Sequence, residues 1–198
     1  GVFLSGNLKI ERGEAAVADA LARSRARPVD PPAAGSEQKF AYTEFGPPGV
    51  VVDRVAHDDL GIVQVRFSNG VRLNVKRTEF EAGNVAVQAR IGSGLLELPA
   101  DRVGLNLLAG SAFVRGGLKQ HSADDLERIF AGKNVGATFS VEDDSIVLSG
   151  QTSPGDLADE LCYLAAHLVA PGYRPEALRQ AREEFAEQYR TLNTTLEG

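Results

Sequence analysis

Pro99–Gly117, PADRVGLNLLAGSAFVRGG, is the stretch from which the fold is read. Pro99 and Asp101 open it, and a first-turn carboxylate suits a helix N-terminus, where unpaired N–H groups carry partial positive charge. Apolar residues then recur at helical spacing: Val103 with Leu107, Leu105 with Ala109 and Phe113, Leu108 with Ala112. Nearly every face is apolar, so this helix is expected to lie between layers, with Leu107 and Phe113 as structural residues. Gly116-Gly117 is expected to stop it, because glycine reaches the left-handed conformation without penalty.

Downstream, Ser122 and Asp125 have the spacing of a capping box, opening a short helix with Leu126, Ile129 and Phe130 on its buried face. Val135, Ala137, Phe139 and Val141 alternate as one strand, and Ile146 and Leu148 belong to another. Ser153-Pro154 is expected to start a long helix, cap then proline, with Leu157, Leu161, Leu164, Ala165 and Leu168 turned to the core. Pro171-Gly172 stops it, and Pro175 begins a last helix with Leu178, Ala181, Phe185, Tyr189 and Leu192 on one face.

Upstream, Val85, Val87, Ala89 and Ile91 alternate with polar neighbours as a strand. Before it, Val63, Val65 and Phe67 alternate up to Ser68-Asn69-Gly70, and Val71, Leu73 and Val75 alternate beyond. A two-residue turn scatters these six side chains over both faces. A three-residue loop pairs Phe67 with Val71 and Val65 with Leu73 and gathers them on one, so that loop is expected, with Gly70 left-handed. Five of the nine prolines fall between Pro28 and Pro48, which reads as an extended or loosely ordered linker. Glu14–Arg25 ahead of it has one apolar helical face, and Val2–Ser5 is strand-like, closed by Gly6-Asn7.

Adjacent strands joined as hairpins, then helix pairs, imply an α+β fold: a mainly antiparallel β-sheet with helices packed on one face. The chain has 198 residues, 43% hydrophobic, enough for one sizeable core or slightly more. A formal charge of −6 argues against nucleic acid and anionic membranes as partners. One cysteine, Cys162, excludes an internal disulfide, and no apolar run approaches the roughly 20 residues of a membrane span.

FSNGVRLNVKR, NVAVQARIGSG, the central helix closing on RGGL, HSADDLERIF and NVGATFSVEDDSIVLSG follow one another from Phe67 to Gly150. In order and spacing they resemble a module of the pitrilysin/insulinase zinc peptidases (inverzincins), over roughly Val50–Leu196. The resemblance implies a LuxS/metallopeptidase-like two-layer sandwich. It also implies H-x-x-E-H on the central helix, two histidines on zinc and a glutamate as general base. Those positions fall on Leu107, Gly110 and Ser111, none of which ligates zinc or takes a proton. The family's third ligand, a glutamate on a later helix, corresponds to the region of Glu183, Glu184 and Glu187, with Glu187 taken as its relic.

The resemblance therefore implies a non-catalytic module. On this reading residues 1–27 are expected to be the closing strand and helix of a preceding module, 28–49 the Pro-rich linker, and 50–198 a non-catalytic module cut before its end. Zinc is expected in the catalytic module of the parent chain and not in this piece. The expected partners are that catalytic module and a peptide or unfolded polypeptide enclosed between modules; a periplasmic or secreted setting is the guess that goes with it. Val2–Leu8 is expected to pair with a sheet edge in its own chain or in a neighbouring copy, making a homodimer. The alternative is a scaffold or interaction module with the same fold and no peptidase in the parent.

Other chemistry is poorly supported. His57, His121 and His167 are scattered, without i+4 histidine partners, and zinc needs three or four converging ligands. Cys162 reads as an inert core thiol, and Glu142-Asp143-Asp144 as a turn. Gly92-Ser93-Gly94 lacks the lysine of a phosphate loop, and Ala109-Gly110-Ser111 lacks the glycines of a nucleophile elbow.

Overall fold

The computed structural model describes residues 3, 6, 10–28 and 38–192. It divides into two compact units, Gly1–Glu37 and Gln38–Gly198. In the first, helix α1 (Gly13–Ala26) forms where its alanines favour it and buries no residue. Apart from Phe3 and Gly6, the strand expected at Val2–Leu8 lies outside the described residues, as do residues 29–37 of the expected linker. The rest of that linker is not loose: the second unit takes in Gln38–Gly49, and Phe40 and Tyr42 pack against its core.

Strands β1 (Val51–His57), β2 (Ile62–Phe67) and β3 (Arg72–Lys76) form an antiparallel sheet in that order. The three-residue loop is present. Phe67 N–H donates to Val71 O at 2.9 Å, Gly70 N–H to Phe67 O at 3.0 Å, and Gly70 has φ +87°. Val65 pairs with Leu73, which holds the apolar set on one face. β1 was not expected as a strand. Its alternation is broken by a register shift between Val51 and Asp53, which hides the period of two.

Strand β4 (Val85–Ile91) does not continue this sheet. It pairs with β6 (Ile146–Thr152), which pairs in turn with β5 (Thr138–Val141), so the second sheet has the order β4-β6-β5. The architecture is α+β with two small antiparallel sheets, consistent with a two-layer sandwich. Glu142–Ser145 closes β5 onto β6 as a tight turn, Glu142 N–H donating to Ser145 O at 2.8 Å. Gly94 sits against that turn with φ +57°, so close to the Glu142 carbonyl and the Ser145 backbone that a Cβ would collide.

The central stretch forms α2 (Leu105–Ala112), starting later than expected because Pro99–Gly104 turns first and Gly104 caps with φ +83°. It does not lie between full layers. Val103 is 95% exposed and Leu107 59% exposed. The reason is position: α2 packs on β5, an edge strand, and on α5 (Pro175–Leu192), so only two of its sides find partners. Phe113 does pack inward, stacking on Phe139 at 4.2 Å between centroids. Past a short 3₁₀ turn, Gly117 adopts φ +61°, and Arg174 Nη1 donates to Gly116 O at 2.6 Å and Leu118 O at 2.8 Å, pairing carbonyls left over at the helix end.

Helix α3 (Ala123–Ile129) begins with the expected capping box: Asp125 N–H donates to Ser122 Oγ at 3.1 Å, and Ser122 N–H to Asp125 Oδ2 at 2.9 Å. Helix α4 (Leu157–Val169) starts one turn after Ser153-Pro154. Ser153 Oγ instead receives Asp156 N–H at 3.2 Å, holding the turn before the helix. Its buried face also differs from the expected leucine stripe. Glu160, Tyr163, Leu164, Ala166 and His167 face inward, whereas Leu161 and Leu168 are 49% and 44% exposed. Glycine explains the polar choice: β6 passes Glu160 at Gly150, where any Cβ would collide with the carboxylate. On α5 the buried residues are Ala177 and Ala181, small enough to let α2 approach.

Candidate functional site

One motif position, Ser111, and one of the three candidate glutamates, Glu184, come together where α2 meets α5. Ser111 Oγ lies 3.5 Å from Glu184 Oε2, and Arg115 Nη1 donates to Glu184 Oε1 at 2.5 Å. Arg115 stands one turn beyond Ser111 on the chain, so a hydroxyl and a guanidinium share one carboxylate. Leu107 points largely into solvent. Gly110 faces Phe139 O, from which a Cβ would sit 3.5 Å away, an ordinary contact, so the site does not require glycine there. Glu187 is not part of this cluster. It is exposed and pairs with Arg190 at 3.0 Å, and Glu183 pairs with Arg179 at 2.9 Å.

The carboxylate beside Ser111 is already paired with Arg115. No group of three His, Cys, Asp or Glu side chains arranged for a metal occurs among the described residues. The histidines go separate ways. His57 bonds Gln64 at 2.9 Å in the first sheet, His121 accepts from Ala41 N–H at 3.0 Å, and His167 is fully buried with Nδ1 bonded to Tyr163 O at 3.0 Å. Cys162 is half-buried on α4 rather than in the core, and burial followed by the Asp159 charge pushes its thiol pKa up, away from the reactive thiolate.

Under α4 lies a group of buried polar side chains. Glu160 accepts Gly136 N–H at 2.9 Å through Oε2 and leaves Oε1 unpaired, and burial raises its pKa despite that bond. Tyr163 is pushed up to about 12, first by burial and then by the Glu160 and Glu127 charges. Burial lowers the pKa of His167 against the opposing pull of the Tyr163 and Val114 carbonyls. These groups lie between α4 and the sheet.

On the opposite face of β4-β6-β5, where no helix packs among the described residues, several side chains are polar. Gln88 pairs across to Ser149, and Ser149 to Thr138, whose hydroxyl lies 2.9 Å from that of Ser149. Asn84, Gln88, Lys133, Thr138, Ser149 and Gln151 line an open trough there. Sequence reading missed this face, Arg115 and the role of Phe40-Ala41-Tyr42. Only the last had a signal, two aromatic residues at strand spacing inside a Pro-rich stretch.

No family model matches the sequence, and no curated protein matches it. Among solved structures the chain is similar to proteases. One is the ferredoxin protease FusC, as a point mutant in complex with Arabidopsis ferredoxin, with TM-score 0.60 and 18% identity over 91% of this chain and 20% of that one. Another is the periplasmic protease PqqL from Escherichia coli, with TM-score 0.66 and 17% identity over 92% of this chain and 20% of that one. The chain thus spans about a fifth of the length of these proteases, and at such identities the likeness is one of fold.

Proposed function

We propose that this chain is a non-catalytic module of a zinc-dependent metalloendopeptidase, forming part of a peptide-enclosing chamber and holding no zinc of its own. The observation that carries the reading is the α2–α5 junction. The helices that bring ligands together in such a peptidase meet here at Ser111 and Glu184, and Arg115 engages the carboxylate. A fixed cation beside Glu184 disfavours a second one by direct repulsion. The similarity to FusC and PqqL supports a peptidase-related module. The face of β4-β6-β5 that carries the open trough supplies the wall: an extended polypeptide finds amide and hydroxyl partners there beside Lys133.

The partners in this reading are the catalytic module of the same parent chain, which contributes metal and base, and a peptide or unfolded polypeptide as substrate. FusC in complex with ferredoxin makes a protein substrate reasonable, and PqqL, a periplasmic protease, fits a periplasmic or secreted setting. The test is a photo-cross-linking residue placed at Gln88 or Thr138, challenged with a reduced, unfolded polypeptide. Adducts are expected from these two positions and not from Arg179 on the helical layer. Adducts equally strong from Arg179, or none from the sheet, would overturn the chamber-wall role.

A further inference from the structure

Gln38–Tyr42 lies as a strap along the turn that precedes α3. Phe40 stacks on the His121 ring at 5.8 Å between centroids and meets Phe130 edge-on at 5.0 Å, while Tyr42 meets His121 edge-on at 5.9 Å. Two hydrogen bonds complete the attachment: Ala41 N–H to His121 Nε2 and Gln120 N–H to the Tyr42 hydroxyl, each 3.0 Å. His121 is buried, and its Nδ1 has no partner among the described residues. An Nε2 that accepts a hydrogen bond carries a lone pair, so the docked strap selects the neutral imidazole with its proton on Nδ1.

We propose that His121 is a proton-operated latch for this strap. A proton added at Nε2 turns the acceptor into a donor, facing the Ala41 N–H donor at hydrogen-bonding distance. The bond is lost and the backbone amide is left unpaired. Asp125 of α3, held by Ser122 and Arg128, is the carboxylate that interacts with His121. Arg174, at the start of α5, is anchored on the Gly116 and Leu118 carbonyls. The strap itself carries Lys39, which is exposed, and the Tyr42 hydroxyl, already engaged as an acceptor. Gln38 begins the second compact unit, so release detaches the first residues of that unit from its core.

The test uses the whole chain, following the His121 ring by NMR while the exchange protection of the Ala41 amide is measured across pH. Once the pH passes below the His121 midpoint, Ala41 protection is expected to fall about tenfold per unit, as the neutral fraction does. Leu148, fully buried in β6, reports whether the fold persists. His121→Gln supplies an acceptor that does not titrate and should hold Ala41 protection constant with pH. His121→Phe keeps the stacking without the acceptor and should lose protection at every pH. Constant Ala41 protection through the His121 titration, no His121 titration before unfolding, or an unchanged pH dependence in His121→Gln would each overturn the latch.

Discussion

Glu160 and His167 share the inner side of α4, and burial moves their pKa values in opposite directions. An acid whose pKa rises on folding takes up a proton as the chain folds. Its stability contribution is complete below the ordinary carboxylate value of 4.5 and is lost as pH rises through the higher folded value. His167 has the reverse sign: its contribution is complete above the ordinary value of 6.5 and is lost as pH falls through the lower folded one. Glu160→Gln keeps an oxygen for Gly136 N–H and cannot ionise. It is expected to match the wild type near pH 4 and to exceed it near pH 8 by about 1–3 kcal/mol, the cost of an unpaired buried acceptor. Urea denaturation across that range checks it; a gap independent of pH would show that the buried carboxyl is not the titrating group. Neither polar residue was legible as core, because sequence reading assigns Glu and His to the wet side of a helix. Only the glycines opposite, Gly136 and Gly150, hint that space was kept for a side chain.

At the scale of elements, legibility followed the strength of the local period. The β2–β3 hairpin was readable to the residue, because six alternating apolar side chains and Ser68-Asn69-Gly70 admit one register that gathers them. The α3 capping box was readable for the same reason, a fixed spacing with a fixed partner. α4 was not: with leucine and alanine on most sides its sequence offers two faces, and the choice fell to the sheet beneath. The outward leucines should then be expendable for stability. Leu161→Gln is expected to change unfolding free energy by less than about 0.5 kcal/mol, whereas Leu164→Ala should cost about 2–5 kcal/mol. Equal losses from the two would mean that the outer face of α4 is covered. Sheet membership was also hidden, since β4 finds its partner in β6, far along the chain, and no local pattern in either names the other.

For the whole molecule, the fold of a peptidase module persists at 17–18% identity to two proteases while the motif positions on α2 hold Leu107, Gly110 and Ser111. The order of hairpins, central helix, capped helix and final helix pair was enough to name the architecture from sequence. The site itself was half legible. That a carboxylate from the last helix answers α2 followed from the resemblance, but which one depends on helix rotation and on how closely α5 approaches over Ala177 and Ala181. Glu184 reaches Ser111, whereas Glu187, further along, pairs with Arg190. The central claim, a peptidase-like module without its own metal, is tested most directly by elemental analysis of the purified chain after equilibration with zinc and dialysis. The account predicts zinc at background for the wild type, unchanged in Glu184→Ala. A stoichiometric zinc retained by the wild type and lost in Glu184→Ala would contradict it.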